Sequence, residues 1–129
     1  MTGSVSFEID PATGMFLGRA VGMATPEVTT AHFDRMEIAV RHARQAGHTI
    51  RVLMDLREAP VQTPETAAAL KAGGERIHRA GDRIAFLCNS ALMTMQLKRN
   101  NYPGAVAVFS DRDEAVDWLL SDAPPPTSR

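Results

Sequence analysis

The chain has 129 residues, which is enough for one domain and too few for two of ordinary size. Hydrophobic residues make up 44% of it, which excludes wholesale disorder, and a formal net charge of -1 provides no overall field to attract nucleic acid. One cysteine excludes an internal disulfide and a cysteine-based zinc site.

Nothing in the sequence indicates a targeting or membrane segment. The stretch from Met1 to Asp10 has neither a basic nor an apolar region of the kind that signal peptides carry. No apolar run approaches the ~20 residues of a membrane span. We therefore expect a cytoplasmic protein that makes no contact with nucleic acid and has no membrane span.

The first half of the chain predicts a hairpin, a helix and a strand. Apolar and polar residues alternate over Val5–Ile9, and the turn residues from Asp10 to Gly14 lead into a second strand, Met15–Val21. A turn this short requires antiparallel pairing. Thr25 then caps a helix predicted over Pro26–Ala46, and a nearly continuous apolar run at Ile50–Leu56 is typical of a central strand.

The second half alternates helices and strands. Thr63 is predicted to begin a second helix that runs toward Arg79, Ser90 to cap a third, and Asp111 to cap a fourth. The remaining predicted elements are strands at Arg83–Cys88 and Ala105–Phe109 and the third helix at Ala91–Arg99. This order predicts an α/β fold with a five-stranded mixed, mostly parallel sheet and four helices. We place the single domain at residues 1–121 and a disordered tail at 122–129.

Paired glycines interrupt the pattern of the second helix. Gly73 and Gly74 each destabilise a helix interior by roughly 1 kcal/mol relative to alanine. We expect the helix either to break there or to pass very close to another backbone.

The residues that usually carry catalysis lack the necessary spacing. The four histidines have no metal-ligand spacing, so we expect solvated or capping roles for them: His32, His42, His48 and His78. Cys88 ends an apolar strand and is expected to be a small buried residue. No serine elbow or phosphate-binding loop is present. We therefore expect no enzymatic activity, no cofactor and no metal.

Polar residues at the ends of predicted parallel strands form the first candidate site. Asp55, Arg57, Thr63 and Ser90 should meet at the carboxyl edge of the sheet, where α/β proteins bind ligands. We call these four residues the strand-end cluster. A purely structural role is the alternative, with Asp55 paired to Arg57 and the two hydroxyls capping helices.

The third predicted helix supplies the other candidates, Met93, Gln96 and Arg99. Its apolar residues lie on more than one side, so the helix is either unusually buried or presents a methionine-rich strip. Core packing is the common explanation of such a pattern. A small apolar ligand or a second copy of the chain in a homodimer is the more specific one.

Six stretches together resemble the SpoIIAA-like family of STAS/SEC14-like domains. In chain order they are FEIDPATGMFLGRAVG, HFDRME, VLMDLREAP, GDRIAFLCNS, MQLKR and AVAVFSDRDEAVDWL, which fall within Val5–Leu120. The resemblance implies a bacterial protein with a five-stranded mixed sheet and four helices. It also implies a regulatory role through contact with a protein partner, or an apolar pocket of the SEC14 type.

The phosphorylation switch of the anti-sigma factor antagonists in this superfamily does not carry over. Their serine lies in an Asp-Ser-Ser-Gly-like helix start, whereas this chain has Gln62-Thr63-Pro64-Glu65. Thr63 is the one hydroxyl there, and Glu65 would repel a phosphate on it. Our first hypothesis is a non-catalytic module that binds a protein partner through the strand-end cluster. The alternative is a carrier or sensor of a small apolar, lipid-like ligand.

Overall fold

The computed structural model describes residues 3–99 and 102–126 and has the predicted architecture, a five-stranded mixed sheet with four helices. The strands are β1 (Ser4–Ile9), β2 (Phe16–Val21), β3 (Arg51–Glu58), β4 (Arg83–Leu87) and β5 (Ala105–Phe109). The helices are α1 (Pro26–Gln45), α2 (Pro64–Ile77), α3 (Ala91–Lys98) and α4 (Arg112–Leu119). The predicted bounds agree with these to within about two residues.

The strands lie in the sheet in the same order as in the chain. β1 pairs with β2 in antiparallel orientation, as the hairpin predicts, and every later neighbouring pair is parallel. Each parallel connection therefore moves one strand in the same direction. Since such crossovers are right-handed, α1, α2 and α3 lie on one face of the sheet. Helix α4 follows the last strand and packs on the opposite face, in a separate cluster with Leu53, Ala85 and Leu87.

Side-chain caps begin the helices where the sequence places them. The hydroxyls of Thr25, Thr63 and Ser90 each accept a hydrogen bond from the amide three residues later, at 3.1, 3.2 and 3.2 Å. Asp111 caps α4 by accepting from the amide of Asp113 at 3.3 Å. These caps satisfy amides that a helix leaves without partners at its start.

The α4 face of the sheet has a well-buried apolar cluster. Ala85, Leu87, Ala115 and Leu119 have no exposed surface there. At the edge of this cluster the guanidinium of Arg83 lies 4.0 Å from the centre of the Trp118 ring. Burial of these side chains stabilises the fold by roughly 25 cal/mol for each Å² of apolar surface removed from water.

Helix α2 is held differently from α4. Cα atoms of α4 come within 8 Å of β3, β4 and β5, whereas α2 comes that close to α1 and, among the described residues, to no strand. Its position over the sheet thus depends on α1 and on side chains that span the gap beneath it.

A buried ion pair ties α1 to the start of β4. Arg44 donates to both carboxylate oxygens of Asp82 at 2.8 and 2.7 Å and to the carbonyl of Ile77 at 3.1 Å. Nδ1 of His78 lies 3.1 Å from the same carboxylate. Burial raises the pKa of Asp82, but the bonds from Arg44, His78 and the amide of Arg79 outweigh it and leave the pKa at about 2.

Gly73 and Gly74 approach aromatic rings, and the helix is continuous through them. A Cβ on Gly73 would overlap Cδ2 of Phe33, and one on Gly74 would overlap Cε1 of Tyr102. Of the two alternatives, the break is absent, and the close approach is made to side chains rather than to another backbone. The Tyr102 hydroxyl also donates to the carbonyl of Leu70 at 3.3 Å.

The segment after α4 contacts the domain at Ala123 and Pro124. Arg83 donates to the carbonyl of Ala123 at 2.8 Å, and Nε1 of Trp118 donates to that of Pro124 at 3.2 Å. The domain limit at residue 121 and the disorder of 122–129 stay predictions. Residues 127–129 of that tail, and 100–101 of the turn after α3, lie outside the described residues.

Replacing Gly73 with alanine tests the ring contact. In an exposed helix this change stabilises by about 1 kcal/mol. Here we expect Gly73→Ala to lower the free energy of unfolding by about 1–2 kcal/mol, because the new methyl overlaps the Phe33 ring. Urea unfolding followed by circular dichroism measures it. The same change in a Phe33→Leu background should be neutral or stabilising, and a gain in the Phe33 background would contradict the contact.

Candidate functional site

An apolar cavity of about 430 Å³ lies between the sheet and the three helices on its α1 face. We call it the apolar cavity. Its sheet-side and α1-side lining is Val5, Ala20, Ala24, Thr29, His32, Phe33, Met36, Val52, Met54, Leu56, Ile84 and Phe86. The remaining lining residues come from α2, α3 and the nearby loops: Ala59, Gln62, Pro64, Ala67, Ala68, Leu70, Lys71, Gly74, His78, Met93, Gln96, Leu97, Arg99 and Tyr102.

Small residues on α2 leave the space open. The positions of α2 that face the cavity include Ala67, Ala68 and Gly74, where a helix packed on a sheet usually carries large side chains. A side chain larger than hydrogen at Gly74 would meet the Tyr102 ring. The helix is therefore kept at a distance from the sheet without filling the gap itself.

The opening of the apolar cavity lies between α2 and the end of α3. Among its lining residues, the exposed ones are Pro64, Ala68 and Lys71 on α2 and Arg99 after α3. The two cations are thus at the rim. Lys71 lies 3.9 Å from Glu75 one turn further along α2, a contact between exposed groups.

Two buried polar side chains of α1 lie on the wall of the apolar cavity. Thr29 is fully buried and His32 is 2% exposed, and their spacing of three residues puts them on the same side of the helix. Neither Oγ1 of Thr29 nor Nδ1 of His32 has a hydrogen-bond partner. Nε of Arg51 and Nε of Arg83, which do not line the cavity, are likewise buried without a partner.

The His32 ring is held among aromatic rings. Its centre lies 5.0 Å from that of Phe33 and 5.7 Å from that of Phe7, both in edge-on arrangements. Burial, with a smaller contribution from the positive charge of Arg35, lowers the pKa of His32 to about 4. The imidazole is therefore neutral at pH 7, with one nitrogen able to donate and the other able to accept.

The structure divides the residues singled out from the sequence into two groups. Met93, Gln96 and Arg99 line the apolar cavity. The strand-end cluster does not: its two hydroxyls, on Thr63 and Ser90, cap helices, as the structural alternative holds.

Asp55 and Arg57 are joined to each other. Arg57 donates to the Asp55 carboxylate from its amide, Nε and NH2 at 3.0, 3.0 and 2.9 Å. These hydrogen bonds lower the pKa of Asp55 and raise that of Arg57. Arg19 and Glu58 form a second, exposed ion pair on the neighbouring strands. The charges at this edge are therefore largely balanced within the chain.

The expectation for the histidines is wrong for one of them. His42 and His48 are exposed and His78 takes the C-cap position of α2, but His32 is buried and caps nothing. The buried positions of α1 are Thr29, His32, Met36 and Val40. The buried stripe of α1 thus continues toward the start of the helix through two polar residues. The sequence shows their spacing, but their polarity does not mark them as buried.

Cys88 is buried, as expected, and its Sγ accepts from the amide of Ser90 at 3.4 Å.

Within residues 3–99 and 102–126, no helix is both long and apolar enough to cross a membrane. The same residues contain no group of three or more side chains arranged to hold a metal ion.

Protonation of His32 predicts a pH dependence of stability. The unfolded chain binds this proton near pH 6.5, whereas the folded chain binds it near pH 4, so acid favours unfolding. The contribution of neutral His32 to the free energy of unfolding is complete above pH 6.5 and is lost by about pH 4. We expect the free energy of unfolding to fall by about 2 kcal/mol between pH 7 and pH 5.

Urea titrations at each pH measure this loss. His32→Gln should flatten the curve between pH 7 and pH 5, while the exposed control His48→Gln should retain the fall. The Asp82 carboxylate also contributes to the free energy of unfolding. That contribution is lost in a separate range, below pH 3.8, because the folded pKa of Asp82 is about 2. An unchanged curve in His32→Gln would contradict the assignment.

Comparison with known proteins gives a match in structure alone. No family model and no curated protein matches the chain. A solved structure from Shewanella loihica PV-4, an uncharacterized protein of the DUF3478 family with a SpoIIAA-like fold, is similar at a TM-score of 0.60 and 24% identity. The match covers 92% of this chain and 94% of that one. The chain therefore has the SpoIIAA-like fold that its sequence resemblance implies.

Proposed function

We propose that this protein binds a small apolar ligand in the apolar cavity and acts as a non-catalytic carrier or sensor. The observation that carries the proposal is the cavity itself, which has an apolar interior and an opening between α2 and α3. Ligand pockets in proteins are typically about 300–1,000 Å³, are mostly apolar, and have a few placed polar groups. A volume of about 430 Å³ is in that range.

The chemistry of the lining supports binding over catalysis. No carboxylate, thiol or serine hydroxyl is among the residues described as lining the cavity. His78 does line it beside Asp82, a pairing seen in catalytic sites. However, Asp82 also accepts two bonds from Arg44, so its charge is already neutralised within the fold.

The protein-interaction hypothesis has less support at the strand-end cluster, whose members bond to one another or cap helices. It has one observation in its favour elsewhere. Leu92 and Met95 on the outer side of α3 are 57% and 53% exposed, while Met93 on the inner side lines the cavity. A protein partner or a second copy of the chain on α3 would therefore lie next to the ligand, which suits a sensor.

Filling the apolar cavity tests the proposal. Ala67 faces the cavity, whereas Ala72 lies on the same helix, is exposed, and is not part of the lining. We expect Ala67→Phe to weaken binding of a hydrophobic fluorescent dye at least tenfold, about 1.4 kcal/mol, because the ring occupies the ligand's space. Ala72→Phe should leave dye binding unchanged.

Native mass spectrometry of protein purified from its own host gives a second measurement. We expect a copurifying small molecule that is retained by Ala72→Phe and lost from Ala67→Phe, with circular dichroism confirming that both variants fold. Equal dye binding by the two variants, together with no added mass in the unsubstituted protein, would contradict the proposal.

A further inference from the structure

We infer that the ligand of the apolar cavity is an apolar chain that ends in a carboxylate, with this head held at the opening between Lys71 and Arg99. The inference rests on the proposed function and specifies its ligand. It is carried by the charge of the lining. Among the described lining residues, every side chain that can carry a charge near neutral pH is basic: His32, Lys71, His78 and Arg99.

The lining differs in charge from the chain as a whole. The sequence has 15 acidic residues against 14 lysines and arginines, so a lining without bias would contain both signs. The described part of the lining contains no aspartate or glutamate. A cleft that combines one sign of charge with apolar walls attracts ligands of the opposite sign.

The position of each basic side chain determines where an anionic head can lie. Lys71 and Arg99 are exposed, on α2 and directly after α3, which are the two sides of the opening. The inner two are not available to an anion, because His78 contacts the Asp82 carboxylate and burial keeps His32 neutral at pH 7. A carboxylate moved into an apolar interior also loses its hydration. The head therefore stays at the opening while the chain enters the cavity.

Both cations at the opening can accept a new partner. Among residues 3–99 and 102–126, Arg99 has no ion-pair partner. Lys71 lies 3.9 Å from Glu75, but both groups are exposed, and such pairs contribute little. With Glu75 counted, the opening keeps one positive charge in excess. One carboxylate balances it, whereas a phosphate monoester carries about −1.5 to −2 charges at pH 7.

Displacement of a bound hydrophobic dye tests the inference with decanoate, decanol and decylammonium, each used below the concentration at which it forms micelles. We expect Lys71→Gln and Arg99→Gln each to weaken decanoate binding about threefold, the effect of one exposed ion pair. Decanol binding should be unchanged in both variants, because its head carries no charge.

Three further variants serve as controls. Lys98→Gln removes the same charge from the exposed neighbour of Arg99, which is not part of the lining, and should leave decanoate binding nearly unchanged in 0.15 M salt. Lys71→Arg keeps the charge and should retain decanoate binding. Glu75→Gln removes the carboxylate that competes for Lys71 and should tighten decanoate binding about twofold, with no effect on decanol.

Reversing the charge of the opening gives a test by gain of binding. The unsubstituted protein should bind decanoate more tightly than decylammonium. The double variant Lys71→Glu, Arg99→Glu should bind the two probes in the opposite order. Both positions are exposed, so the core is not altered, and circular dichroism confirms that each variant folds.

The outcomes distinguish the two proposals. If none of the probes displaces the dye, the proposed function itself fails. If decanoate and decanol respond equally to Lys71→Gln and Arg99→Gln, or if Lys98→Gln weakens decanoate as much as Arg99→Gln does, the function stands and the inference is overturned. Decyl phosphate separates the two kinds of anionic head. If it binds more tightly than decanoate and depends on Lys71 and Arg99, the ligand head is a phosphate and the carboxylate assignment is wrong.

Discussion

The contact between two glycines and two aromatic rings constrains how α2 packs in the domain. Phe33 from α1 lies against Gly73, and Tyr102 from the loop before β5 lies against Gly74. The helix thus has a ring on either side and small residues beneath it. Since α2 approaches no described strand closely, its placement depends on these rings and on its contact with α1.

The two faces of the sheet have different roles in the energetics. The α4 face has a well-buried cluster, and it supplies the kind of close packing that stabilises small domains. The α1 face keeps an apolar space and two unpaired polar atoms, each of which lowers stability. A protein can retain such features only if the rest of the fold offsets them, and the α4 cluster is one source of that stability.

The sequence predicted the elements of this fold because each has local signals. Thr25, Thr63 and Ser90 cap helices through their own side chains, and strand alternation and glycine turns need no tertiary information. The sequence also indicated that Gly73 and Gly74 must approach something closely. It could not identify the neighbours, since Phe33 and Tyr102 come from distant parts of the chain.

The candidate site was less accessible to sequence reasoning. Met93, Gln96 and Arg99 were found through the unusual pattern of one short helix. Thr29 and His32 were missed because polar residues on a buried stripe look like surface residues until the packing around them is known. The cavity is a space that the surrounding side chains leave unfilled, and no single residue in the sequence indicates such a space.

The placement of the aromatic residues has an optical consequence. The chain has one tryptophan and one tyrosine, and the sheet separates them. Trp118 packs under Arg83 on the α4 face, while the Tyr102 ring forms part of the cavity wall. The two chromophores therefore report different events: indole emission follows the integrity of the whole domain, and phenol absorbance follows occupancy beside α2.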